Sequence, residues 1–319
     1  MEASRISRHS AVIGTALWIG WQLLVNATAP AVLFALSPLV LVPLLLRPLL
    51  DQDQDPSRLL RVLSWSQLAC ALTLPMGLSL RPGPVAMISC LPWTAWTALA
   101  AIEALQRLRR LVAIHGWLEL PRAAAGELAI AAGLGFPIIG SAWLLADRLD
   151  LQPLGFSPLI VALTAAHFHH AGFTLPLCAG YLTRWRPQQQ RWRVAAFAIV
   201  LAVPLVAIGI TVSPLLELIS AWLTAAAAMT VGVGMLLRAR ELALIPALAS
   251  ALSGAAILAA MLFAGSYALT EYLGVPLPDI VAMIQLHGAV NALGFGLLGA
   301  WSWHLSPPPA PAAKEGASS

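Results

Sequence analysis

Charge is what this chain is short of. Asp, Glu, Lys and Arg together make up 10% of its 319 residues, where a water-soluble domain carries about 25%. So few charges cannot clothe a soluble globule, and the bilayer is the expected solvent. Lysine is nearly missing, one residue against seventeen arginines, a bias that reads as codon usage rather than chemistry. Cysteine is scarce as well: Cys70, Cys90 and Cys178 stand singly in apolar runs without a C-x-x-C spacing. That argues against a disulfide framework or a zinc–thiolate site and leaves small buried hydrophobes. No P-loop occurs, so phosphate-driven work has no local engine. The formal net charge is +4, but the basic residues are dispersed, so nucleic acid is not an expected partner.

What is present is apolar: 59% of the residues are hydrophobic and the mean hydropathy is +0.81. A helix needs roughly 20 apolar residues to cross the hydrocarbon core. Runs of that kind lie near 11–27, 30–47, 60–80, 84–105, 123–146, 156–182, 194–212, 214–237, 242–266 and 279–304. "NATAP" at 26–30 and "VSPLL" at 212–216 supply the turn residues that separate neighbouring runs. The expected fold is therefore all-α, a polytopic helical bundle of about ten transmembrane helices over residues 1–305, followed by a disordered Pro/Ala/Ser tail over 306–319. The first run continues too far for a cleavable signal peptide. With ten spans and a cytoplasmic N-terminus, sixteen of the eighteen basic residues fall in inner segments, and only Arg81 and Arg148 fall in outer ones. That asymmetry predicts a multi-pass protein of the bacterial cell (inner) membrane with both termini cytoplasmic.

Polar residues inside the spans are the candidate machinery. "LTAAHFHHAGFTLPL" at 163–177 places His167, His169 and His170 about halfway along the sixth run, with Thr174 beyond them. At 3.6 residues per turn His167, His170 and Thr174 share a face and His169 points elsewhere. On the tenth run His287 and Asn291 are i, i+4 neighbours, beside a small-residue stripe of Gly288, Ala292, Gly296 and Ala300 that invites close helix approach. Gly172, Pro176 and Gly180 loosen the sixth helix. Glu217 opens the eighth. Glu103 and Glu127 lie near the inner face, with Arg122 and Arg109–Arg110 as expected partners. Trp93 and Trp96 could wall a pocket or simply pack; Trp301 and Trp303 suit the inner interface and Trp143 the outer, and His115 and His304 read as solvated boundary residues.

Two stretches carry a family resemblance. "HFHHAGF" at 167–173 and "HGAVNALGF" at 287–295 resemble the paired H-F-H-aromatic-A-G-F and H-G-x-x-N-x-x-G-F helices of the YndJ-like family of bacterial multispanning membrane proteins. His170 stands where that pattern has an aromatic. The resemblance spans about 120–304 and implies a membrane-embedded bundle in which His167 and His169 both matter; it implies no reaction.

From the residues themselves, the first reading is an intramembrane isomerase or cyclase. His167, His169, His170, His287, Asn291 and Glu217 form its catalytic set, and acid–base chemistry on a lipophilic small molecule needs neither cofactor nor metal. The alternatives are a haem or metal protein, with His167, His170 and His287 converging, and a proton-coupled carrier, for which no inverted repeat is evident. H-x-x-x-N at 287–291 also suits a CAAX-type intramembrane protease, but the paired-glutamate motif E-E-x-x-x-R is missing.

Overall fold

The computed structural model describes residues 2–53, 56–275, 277 and 279–310, and no strand occurs among them. The described residues form ten long helices: α1 (Glu2–Leu24), α2 (Ala29–Gln52), α3 (Arg58–Ser79), α4 (Pro84–His115), α5 (Ala125–Arg148), α6 (158–185), α7 (Gln190–Val212), α8 (Pro214–Ala239), α9 (Leu244–Tyr272) and α10 (Ile280–Leu305). Each matches one of the ten apolar runs. Starts are set by proline in the first turn and by serine caps. Ser57, Ser157 and Ser213 each accept the amide N–H three residues on, with Pro158 and Pro214 following two of them. Eight of the ten are long and apolar enough to cross a membrane. The other two are α1, diluted by Arg5 and Arg8, and α6, diluted by its three histidines. The chain is thus an all-α, multi-pass membrane protein. Residues 306–310 have no regular structure; the rest of the expected tail, with Lys314, lies outside the described residues, as do Gln54 and Asp55.

Successive helices run antiparallel, so two ends can be named. Glu2 and Leu305 lie at the basal end. There Arg47 donates to the His304 carbonyl at 3.0 Å, and Arg107 and Arg184 reach Asp53 at 2.7 and 3.0 Å. At the distal end Arg148 donates to the carbonyls of Gly77, Leu78 and Leu80. α2 is the axis: 72% of its most apolar window is buried, against 22–50% for the other spans. A helix that is apolar all round belongs inside, and "AVLFALSPLVLVPLLL" is such a sequence.

The helices form two groups. α1 to α6 pack around α2, while α7, α8, α9 and α10 pack in succession. The groups meet basally, where the first half of α5 and the second half of α6 lie on α7, and the end of α10 lies on the end of α2. Toward the distal end α6 packs instead on α5 and α2, and α10 on α9 and α2.

Close approach of α5 and α6 explains the glycines there. A Cβ on Gly180 would lie 2.7 Å from the Gly126 carbonyl oxygen and 2.5 Å from Ile130, and one on Gly172 would lie 3.0 Å from Phe136. These glycines seat α6 against α5 rather than loosening it. The expected stripe on α10 is likewise replaced. The tight contacts are Gly294 on Ala256 and Gly299 on Ser253 of α9, whereas Gly288 meets nothing closer than 3.5 Å.

Of the expected basal pairings, Glu103 with Arg110 is present and those with Arg122 are not. Glu103 binds Arg107 at 2.8 Å and Arg110 at 3.6 Å, Glu127 binds Arg184 at 2.6 Å, and Arg122 pairs with Glu119 at 3.7 Å. Asp53 bridges Arg107 and Arg184, so one buried network ties α2, α4, α5 and α6. Trp303 is fully buried under the Arg238 guanidinium, 3.7 Å away, and His304 is buried too, so neither is an interface residue. Trp301 is 42% exposed, as a belt residue should be.

Gly180→Val should lower the thermal unfolding midpoint in detergent by the equivalent of about 1–3 kcal/mol. Gly20→Ala, which meets nothing within 4 Å, should leave the midpoint unchanged or slightly raised. Equal midpoints for the two variants would refute the close approach.

Candidate functional site

The site begins with prolines in α2. An α-helical carbonyl accepts the N–H four residues on, but Pro38 has none to give Phe34, and the N–H of Ser37 turns to Phe34 instead. The carbonyl of Leu33 is thereby left for another donor, and Nε2–H of His170 fills it at 2.8 Å. Val42 then reaches back five residues to Ser37. Pro43 offers no N–H, and the stranded carbonyl of Pro38 is taken by Nε2 of Gln67 at 2.5 Å. Ser37 Oγ donates to the His169 carbonyl at 3.1 Å. Two prolines five residues apart therefore turn Ser37–Leu41 into a π-helical turn and create the hooks on which α3 and α6 hang.

α6 and α10 are π-helical where they meet that turn, over His170–Thr174 and Met283–Leu297. Single π turns concentrate at functional sites, and here π-helical stretches of three helices meet about halfway through the bundle. The π turn also changes the phase of α6. Thr174, expected beside His167 and His170, is instead buried with no partner for its hydroxyl.

The three neighbouring histidines take three different positions. His169 is fully buried. Its Nδ1–H donates to the Ala165 carbonyl at 2.9 Å, and its Nε2 accepts the Trp93 indole N–H, also at 2.9 Å. An indole nitrogen only donates and a carbonyl only accepts, so the tautomer is fixed and both ring nitrogens are occupied. Phe34 lies 4.5 Å from the ring, and Trp93 stacks on Trp96 at 4.7 Å. His169 is thus a packing and hydrogen-bonding hub, and the two tryptophans fill the interior rather than wall a pocket. His170, held by Leu33, keeps a buried Nδ1 lone pair with no partner. His167 is deep in the bundle yet exposed, and its charged-group neighbours are His287 and His170. It is therefore open to the surroundings where α6 meets α10.

The opposite wall is α10. Nδ1–H of His287 donates to the Ala260 carbonyl of α9 at 3.1 Å. The Asn291 amide nitrogen lies against the edge of that ring, 3.2 Å from Nδ1 and 3.4 Å from Nε2, of which Nε2 is left to accept, and the Asn291 Oδ1 is buried without a partner. The expected meeting of α6 and α10, with His167 near His287, is present. Glu217 is not part of it: half-buried in the first turn of α8, its charged neighbour is Glu271 at the distal end of α9.

Among the described residues no three His, Cys, Asp or Glu side chains converge as a metal ion requires. Gly294, Gly296 and Gly299 reproduce the G-x-G-x-x-G spacing, but they lie inside a membrane helix with no strand before it. The tight turn that makes that motif a dinucleotide site is missing.

Sequence reasoning missed Ser37 and the Leu33 and Ala260 carbonyls, and it named Trp93 without its bond to His169. The one signal for them was the Pro38–Pro43 spacing. Trp93→Phe keeps the ring but strands the lone pair of His169 Nε2 in a dry core, so it should cost about 1–3 kcal/mol of stability. Nitrogen NMR of histidine-labelled protein checks both parts: His169 should be a pure Nδ1–H tautomer in the wild type, and only its signals should shift in the variant. A protonated or mixed His169 would refute the assignment.

The family profile described as YndJ-like protein matches residues 32–295, reaching further toward the N-terminus than the two histidine motifs. A curated relative, "Uncharacterized membrane protein YndJ" of Bacillus subtilis (strain 168), is 29% identical over 191 residues. That alignment covers 56% of this chain and 33% of the relative, so the chain matches about a third of that protein's length. No solved structure matches.

Proposed function

The chain belongs to the YndJ-like family, and we propose that it acts there as an integral membrane enzyme performing cofactor-free acid–base chemistry on a lipophilic small molecule. The observation that carries this reading is the open imidazole of His167, set beside His170 and His287 at the crossing of π-helical stretches. An imidazole titrates nearest to neutrality of the ordinary side chains, and this one is exposed deep in the bundle. In this reading His167 takes a proton from the substrate and returns it elsewhere on the same molecule. His287 and Asn291 shape the facing wall, and His169 is a positioning residue that fixes α6. Isomerisation, epoxide opening and cyclisation are all redox-neutral, which agrees with the lack of a nucleotide motif.

A carrier is the second reading. It is favoured by α6 and α10, which meet midway and pack on different helices toward the distal end, as a substrate site open to one side requires. Lipid extracts from cells making wild-type or His167→Ala protein at equal membrane levels separate the two. The enzyme reading expects a species that accumulates in the variant, matched in the wild type by one of equal mass or heavier by one water. Identical extracts would overturn it. An optical spectrum and metal analysis of the purified protein add an independent check: a Soret band, or stoichiometric metal lost on His167→Ala, would also overturn it.

For orientation we take the basal end as cytoplasmic, since the described arginines other than Arg81 and Arg148 lie there. Phosphatase and fluorescent-protein fusions check this. A fusion after Arg240 should be fluorescent and phosphatase-negative, and one after Leu151 the reverse; the opposite pattern would invert the topology.

A further inference from the structure

We propose that Arg8, Arg47 and the end of α10 form a site for the headgroup phosphate of an anionic phospholipid at the basal membrane boundary. The site does not depend on the histidines of α6. It is set by the register of α1 on α2. A Cβ on Gly14 would overlap the Leu39 carbonyl, so the two backbones touch there. The helices run antiparallel, and six residues toward the basal end on each, about 9 Å at 1.5 Å per residue, bring Arg8 level with Leu45. Arg47 follows two residues on.

α2 receives α10 at the same height. The last turns of α10 and the first half of α1 both pack on residues 42–52 of α2. α10 ends at Leu305, and no regular structure follows, so this height is the basal boundary. The His304 carbonyl is one of those that a helix end leaves without an N–H, and Arg47 donates to it at 3.0 Å. Nε–H of Arg47 donates to Asp51 at 3.2 Å. Two of its five N–H donors are thereby committed and hold the guanidinium in place, while the side chain stays partly exposed. The charged neighbours of His304 are Arg47, Arg8 and Asp51, so the two guanidinium groups gather around one residue.

Positive charge is in excess here. α1 and the end of α2 carry Arg5, Arg8 and Arg47 with Glu2 and Asp51, and among the described residues only Arg47 and Asp51 pair. Arg8 is exposed and has no hydrogen bond or ion pair among them. An unpaired guanidinium at the edge of the hydrocarbon is costly, and the membrane itself carries the matching anion. Arginine binds phosphate through two parallel N–H···O bonds, and basic clusters at helix ends collect anionic headgroups. The surroundings favour a lipid over a solvated ion. Val12 is exposed one turn beyond Arg8 on the same face, and Trp301 and Leu305 are exposed at the end of α10. Acyl chains can lie on such residues.

The test is native mass spectrometry of the delipidated full chain in detergent, titrated with phosphatidylglycerol and phosphatidylcholine of the same acyl chains. The wild type should take up one phosphatidylglycerol at concentrations where phosphatidylcholine does not bind. Arg8→Gln should weaken phosphatidylglycerol binding about fivefold, the share of one arginine near a headgroup, and leave phosphatidylcholine binding unchanged. Arg8 is exposed, so the variant should fold, and the ratio of the two lipids within one protein is insensitive to partial misfolding. Arg109→Gln removes an exposed arginine from the basal end of α4, away from the site, and should bind as the wild type does. Inorganic phosphate at the same concentration should not displace the lipid. Equal binding of the two lipids by the wild type would overturn the site. So would equal weakening by Arg8→Gln and Arg109→Gln, which would mean a diffuse attraction of the whole basal face. Displacement by inorganic phosphate would overturn the lipid and make the ligand a soluble anion.

Discussion

In hydrocarbon there is no water to satisfy a backbone carbonyl, so every carbonyl that loses its helical N–H must find a donor from protein. The middle of this molecule is organised by that demand. α2 carries Pro38 and Pro43 at its most buried point, and the carbonyls they strand are answered by His170 from α6 and Gln67 from α3. Ser37 adds a third tie, to the His169 carbonyl. A proline inside a soluble helix is a defect costing about 3 kcal/mol. Here it dictates which helices lie against the axis and at what height. Because the donors that answer it include a histidine, the same demand fixes the tautomer of one site residue and the rotation of the helix that carries the others.

The fold was largely legible in the sequence, because apolar length and arginine placement are one-dimensional signals. Each of the ten runs became one helix, and "NATAP" and "VSPLL" separate helices as read. Two of the failures share a cause. Face arguments assumed 3.6 residues per turn, and α6 and α10 are π-helical where it mattered, so Thr174 left the shared face and the four-residue stripe on α10 gave way to contacts at Gly294 and Gly299. Partner assignments failed for another reason. Glu127 lies near Arg122 in sequence, but α6 packs on α5 and delivers Arg184 instead. Depth along a span also says nothing about lateral position, which is why Glu217 was grouped with histidines that it does not face.

The two ends of the α6–α5 contact show opposite answers to buried polarity. Basally, Asp53, Glu103 and Glu127 pair with Arg107, Arg110 and Arg184 in one network of ion pairs. Removing one member of such a set leaves an uncompensated charge, so the network resists rearrangement. Midway, His167, His170 and His287 offer lone pairs and no fixed charge, and Nδ1 of His170, Oδ1 of Asn291, Oε1 of Gln67 and Oγ1 of Thr174 are buried without partners.

The three histidines of α6 also show why a residue's type does not assign its role. His169 and His170 are adjacent in the chain, yet one has both nitrogens engaged and the other has one without a partner, because the Trp93 indole reaches the first and no donor reaches the second. His167 has the same side chain again and lies exposed. The neighbours thus set the three apart: a tryptophan on α4 occupies one imidazole, a stranded carbonyl on α2 takes the ring hydrogen of the next, and the third stays exposed where α6 meets α10.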